Sequence, residues 1–188
     1  STMDEAFYTG DVLGAAQKYA TEKYGIKVYY HNHCEEFVAL ENGLYPIDVI
    51  GDRCSLEIDT YWSFHAGEDN YKLLTEKKDN IVLLHVKDGI DGKPMALGEG
   101  NNDLATVIKA AKDTGIKQIT IGGGVSANSG LRSRIEQEGR KRGWTTFLPE
   151  FKFTTDNAAM IAIAGWFHYR NGERTSLDVA PVSRLAEF

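Results

Sequence analysis

Three short apolar runs, each ending on imidazole or carboxylate side chains, restrict the fold of this chain more than any other feature. They are Tyr29-Tyr30-His31-Asn32-His33, Leu56-Glu57-Ile58-Asp59 and Leu83-Leu84-His85-Val86-Lys87-Asp88. Residues 12–24 carry Val12, Ala15, Ala16, Tyr19 and Ala20 at helical spacing and stop at Gly25, which predicts a helix closed by a glycine terminator. A strand over 26–31 follows at once. The alternation recurs as a helix over 70–77 before a strand over 81–86, and a helix over 104–112 before a strand over 116–121. Helix 129–141, strand 145–148 and helix 156–169 complete the reading. Nearly continuous apolar strands alternating with helices are buried on both faces, so the expected fold class is α/β, a mostly parallel open sheet with flanking helices.

The 188 residues allow one sizeable core or two small ones, and fall short of the roughly 250 typical of an eight-stranded α/β barrel. A net charge of −6 argues weakly against tight nonspecific nucleic-acid binding, which makes nucleic acid an unexpected partner for the isolated chain. The one basic cluster, Arg132, Arg134, Arg140, Lys141 and Arg142, is balanced by Glu136 and Glu138 and reads as a solvated helix face. Cys34 and Cys54 lack metal-type spacing, so a reduced, cytoplasmic protein is expected. The start, Ser1-Thr2-Met3-Asp4-Glu5, has no signal-peptide pattern, and the longest apolar stretch, 158–167, is too short to span a bilayer; no membrane role is expected. Gly89, Gly92, Pro94, Gly98 and Gly100 predict a loop over 89–100 at the mouth of the sheet.

Parallel strands bring their C-terminal ends to one rim, where each supplies a ligand toward a common point. His31, His33, Glu36, Asp59 and His85 are so placed, with Lys87 just beyond. Tyr30-His31-Asn32-His33 with Glu36-Phe37, Glu57-Ile58-Asp59-Thr60-Tyr61-Trp62 with Ala66-Gly67, Leu84-His85-Val86-Lys87-Asp88 and Leu97-Gly98-Glu99-Gly100 occur in that order. Over about residues 5–103 they resemble the second half of the xylose-isomerase-like sugar phosphate isomerase/epimerase family. The resemblance implies half of a TIM barrel, a divalent metal (Mn, Mg or Zn) and a small sugar or sugar phosphate as substrate. Asp59 and His85 would be metal ligands and the His31/His33 region a ligand or substrate contact, with His31, His33, Glu36 and Lys87 as the candidate catalytic groups. Such a metal stabilises an enediolate while a base moves the proton. The family's first four strands have no counterpart here, and its strand-end glutamate gives way to Gly122-Gly123-Gly124. Some members have a histidine where this chain has Trp62, an aromatic suited to a core or to stacking on a sugar.

A strand running through a glycine turn into a helix suits an approaching phosphate, because backbone N–H groups and the helix N-terminus both favour an anion. Residues 119–132 have that pattern, and Asp156, ahead of Asn157-Ala158-Ala159-Met160, is placed as a helix N-cap. Together with Phe147-Leu148-Pro149 and residues 155–162, this segment resembles the C-terminal part of the tRNA threonylcarbamoyladenosine transferase family, over about residues 104–188. The resemblance implies an actin-like α/β segment in which Asp156 is the metal aspartate and Gly123, Gly124 and Asn128 contact a nucleotide such as ATP. The family's His-x-x-x-His pair is not in this sequence. The expected organisation is therefore an isomerase-like segment, 1–103, fused to a transferase-like segment, 104–188, with the seam within 104–121. Three functions remain open: a chimera with incomplete sites and weak metal or nucleotide binding, an isomerase/epimerase completed as a homodimer, and a transferase-like interaction module.

Overall fold

The computed structural model describes residues 2–122, 124–154, 158–176 and 178. Gly123 and Asp156, two of the expected ligand-contacting residues, lie outside the described residues. The chain divides into two compact units, Ser1–Ile116 and Lys117–Phe188. Mixed α/β structure with mostly parallel pairing and flanking helices runs through both, and the described strands close no barrel.

The first unit opens with helix α1, Met3–Tyr24, nine residues earlier than the apolar spacing predicts. The reason is a capping box. Glu5 N donates to Thr2 Oγ1 (3.3 Å) while Thr2 N donates to Glu5 Oε2 (2.7 Å), satisfying two N–H groups that the helix start leaves free. Strands β1 (Tyr29–His31), β2 (Ser55–Asp59) and β3 (Ile81–His85) form a parallel sheet in that order, separated by helices α2 (Pro46–Gly51), α3 (Thr60–His65) and α4 (Asn70–Glu76). The register sets His31 beside Glu57 and Asp59 beside His85. Alternation along the central strand sends Leu56 and Ile58 into the core, both fully buried, each contributing roughly 1.5–3 kcal/mol. Ile47, Val49 and Ile50 of α2, Leu73 and Leu74 of α4, and Val107 and Ala110 of helix α5 (Leu104–Asp113) close around them.

Residues 89–100, expected as a loop, instead begin with a hairpin. Strands β4 (Asp88–Ile90) and β5 (Lys93–Met95) pair antiparallel around Asp91 and Gly92, which take φ of 50° and 75°. Positive φ at both central residues is the tight turn whose twist matches a two-stranded ribbon, and Asp-Gly is its sequence signal. Gly92 N donates to the Tyr61 hydroxyl at 2.8 Å, tying the turn to α3.

The second unit pairs strand β6 (Gln118–Thr120) parallel with β7 (Thr145–Phe147), joined through helix α6 (Ser129–Arg142). Gly143, with φ of 68°, ends α6 in the left-handed conformation. Helix α7, Ala158–Arg170, keeps Ile161, Phe167 and Tyr169 exposed. No described helix is long and apolar enough to cross a membrane.

Candidate metal centre

Asp59 is the last residue of β2 and the N-cap of α3. Its Oδ1 accepts from Tyr61 N (3.0 Å) and Trp62 N (3.1 Å), which fixes the carboxylate plane and leaves Oδ2 directed toward the strand-end rim. The neighbouring strand holds its backbone as well. Asn32, completely buried, accepts from Asp59 N at 2.9 Å and donates to Asp59 O at 3.4 Å.

Two imidazoles and an ammonium face Oδ2. His85 Nδ1 stands 3.1 Å away, His31 Nε2 3.6 Å and Lys87 Nζ 3.6 Å. All lie within ion-pairing range, yet none is aligned as a hydrogen bond, and among the described residues Oδ2 is the one buried side-chain oxygen without such a partner. Burying a carboxylate oxygen in that state is costly unless a cation completes it. Ligand atoms of His31, Asp59 and His85 lie within 4.8 Å of one another. A tetrahedral ion with bonds of about 2.1 Å sets its donors roughly 3.4 Å apart, so side-chain shifts of about an ångström gather the three. Burial pushes the Asp59 carboxyl upward, but His85, the Trp62 N–H and Lys87 together outweigh it and hold the group below the usual carboxylate range. The same carboxylate raises His85 above the ordinary histidine value, against its partial burial.

The remaining expected residues divide. The Lys87 ammonium lies 4.6 Å from the centroid of the half-buried Trp62 ring, and the His33 ring packs between Trp62 (5.9 Å) and His31 (5.4 Å). These side chains lie beside the His31–Asp59 end of the sheet. Glu36 is engaged elsewhere: its Oε1 accepts from the Tyr30 hydroxyl (2.6 Å) and its Oε2 from His33 N (2.7 Å). Burial, then Glu36, drives the Tyr30 hydroxyl well above its usual range. Glu36 therefore shapes the turn that carries His33. In the second unit Asn128 caps α6, its Oδ1 accepting from Leu131 N at 2.9 Å, and Gly124 opens a short 3-10 turn.

Three side chains of the first unit have parts that the strand-end pattern does not assign. Asn32 is the first, as above. Glu57 places Oε2 3.0 Å from His31 Nδ1. Asp88, 1% exposed, accepts four backbone N–H groups: Gly89 (2.9 Å) and Asn102 (3.1 Å) at Oδ1, Gly98 (2.8 Å) and Gly100 (3.0 Å) at Oδ2. Burial pushes the Asp88 carboxyl up, but those four donors prevail and lower it. Asn102 also donates to Lys87 O at 2.8 Å, so the same loop anchors the Lys87 backbone.

Comparison with known proteins finds two likenesses. Residues 99–163 match the family model for tRNA N6-adenosine threonylcarbamoyltransferase, TsaD. The threonylcarbamoyltransferase of Porphyromonas gingivalis is 51% identical over 77 residues, covering 41% of this chain and 23% of that protein. The enzyme of that name from Phocaeicola vulgatus is 33% identical over 152 residues, covering 74% of this chain and 44% of that protein. This chain thus spans less than half the length of either relative. Among solved structures, a sugar phosphate isomerase/epimerase from Parabacteroides distasonis superimposes with a TM-score of 0.51 at 25% identity, covering 62% of this chain and 45% of that one. Two likenesses meet in one polypeptide, a sugar phosphate isomerase/epimerase-like part and a threonylcarbamoyltransferase-like part, as in a chimera.

Proposed function

We propose that this chimera is a metal-binding protein whose isomerase-like unit holds one divalent ion between His31, Asp59 and His85, with at most weak binding of ATP by the transferase-like part. One observation carries the reading: the buried Asp59 Oδ2, which accepts no aligned hydrogen bond, faces an imidazole from each flanking strand. Two imidazoles and one carboxylate suit borderline ions, zinc before manganese or magnesium, which prefer oxygen donors. When bound, such an ion supplies Lewis-acid polarisation of a ligand carbonyl or hydroxyl. The chain's own groups then act around it. Trp62 offers a face for a small sugar or sugar phosphate, Lys87 a positive charge for its oxygens, and His33 a base at the open side. With three gathered donors and no counterpart to the family's final glutamate, turnover by a monomer is not expected. Cys34 and Cys54, both free thiols, agree with a reducing compartment such as the cytoplasm.

A second reading, an isomerase/epimerase completed by a second copy, draws on the open edges of β1 and β3. Calorimetric titration with zinc, manganese, magnesium and then ATP tests the first. A one-to-one zinc response abolished by His85→Ala and retained in Asp156→Ala supports it, and silence toward every divalent ion overturns it. Light scattering with a ketose–aldose assay separates the second: a dimer that interconverts sugars would replace the chimera with incomplete sites.

A further inference from the structure

Glu57 and Asp59 are two residues apart on β2, so their side chains leave the same face of the strand. The parallel register sets His31 directly beside Glu57, and the imidazole bridges the two carboxylates: Nδ1 is 3.0 Å from Glu57 Oε2, Nε2 3.6 Å from Asp59 Oδ2. The contacts differ in kind. The first is a hydrogen bond of ordinary length, the second a longer approach to an oxygen with no aligned donor. A neutral imidazole carries one proton, and the ring nitrogen that makes the hydrogen bond decides which nitrogen keeps a lone pair.

We infer that Glu57 is a positioning residue that holds His31 as the Nδ1–H tautomer, turning the Nε2 lone pair toward the centre formed with Asp59 and His85. The inference rests on the metal-binding reading above. A carboxylate behind a ligating imidazole fixes ring orientation and raises its donor strength, and losing such a partner typically weakens metal affinity 10–100-fold. Glu57 suits that part. It is only 19% exposed in its side chain, it sits on the central strand of a three-stranded sheet, and its backbone is held by β1 on one side and β3 on the other.

The test uses the full chain labelled with ¹⁵N-histidine, without metal, with His31 assigned by comparison with His31→Gln. Recorded at alkaline pH, where an imidazole is neutral, long-range proton–nitrogen correlations are expected to show a protonated Nδ1 and a bare Nε2. Glu57→Ala should mix the tautomers and raise the zinc dissociation constant 10–100-fold, with the far-UV spectrum unchanged. Glu57→Gln, whose amide oxygen still accepts from Nδ1, should restore the tautomer and most of the affinity. A wild-type spectrum with the proton on Nε2 overturns the inference without any variant, so a misfolded Glu57→Ala leaves it falsifiable. Unchanged tautomer and zinc affinity in a folded Glu57→Ala overturn it equally. A wild-type chain that shows the Nδ1–H tautomer yet binds no zinc sinks the metal reading and upholds the hold of Glu57 on the ring.

Discussion

Replacing Asn32 with alanine should destabilise the first unit far more than a polar surface change of the same size. Asn32 is completely buried, and its Oδ1 is the acceptor for the Asp59 N–H at 2.9 Å, on a residue that is itself fully buried. Truncation leaves that N–H without water or partner, at a cost of about 1–3 kcal/mol. The longer bonds to Asp59 O (3.4 Å) and His33 O (3.2 Å) are lost too, and a small void opens. The expected total is roughly 2–4 kcal/mol, within the upper range for single substitutions. The assay is equilibrium urea unfolding followed by Trp62 fluorescence in a Trp144→Phe, Trp166→Phe background, so that only the first unit reports. Asn42→Ala serves as the control, since exposed Asn42 only accepts from Leu44 N at 3.1 Å and donates to Met3 Sδ at 3.5 Å, both at the surface. A loss for Asn32→Ala below about 1 kcal/mol, or equal to the control, would refute the view that the strand-to-strand clamp holds Asp59 in place.

Other consequences follow from the same contacts. A Cβ on Gly100 would lie 2.1 Å from Asp88 Oδ1 and 2.5 Å from Gly89 N, so Gly100→Ala should lower stability by about 1–3 kcal/mol and expose residues 96–101 to limited proteolysis; an uncleaved, equally stable variant would contradict the packing. Because folding lowers the Asp88 pKa, its stabilising contribution is complete above the unfolded value near 3.9 and is lost as pH falls from there through the folded value. Urea midpoints should therefore show no Asp88-dependent change between pH 7 and 5, a fall toward pH 3, and a weaker fall in Asp88→Asn; equal slopes would exclude Asp88 as a source. Lys87→Met removes a cation 3.6 Å from Oδ2 and should tighten zinc binding by about 1 kcal/mol, roughly fivefold, as read by calorimetry; weaker binding would contradict the competition.

Much of the parallel architecture was legible because short apolar stretches such as Leu56 with Ile58 and Ile81 to Leu84 recur between segments of helical spacing. The convergence of His31, Asp59 and His85 was legible for a related reason, since parallel strands end at one rim. The hairpin at 88–95 was hidden by its glycines, although Asp91-Gly92 carried its signal. The parts of Asn32, Glu57 and Asp88 could not be read locally. Glu57 lies 26 residues from His31 and meets it only through sheet register, and Asp88 gathers amides as far as Asn102. Glu36 shows the reverse case, a carboxylate in a motif whose oxygens are both engaged, by Tyr30 of β1 and by the His33 backbone.

The central claim is that three strand ends of one unit form a single metal centre with two imidazole donors. X-ray absorption at the zinc edge of the one-to-one loaded full chain addresses it directly. The account predicts two nitrogen scatterers near 2.0–2.1 Å with imidazole outer-shell features, one carboxylate oxygen near 2.0–2.2 Å, and loss of one imidazole in His85→Ala. A first shell of oxygens alone, or a wild-type spectrum that His31→Ala and His85→Ala leave unchanged, would contradict it.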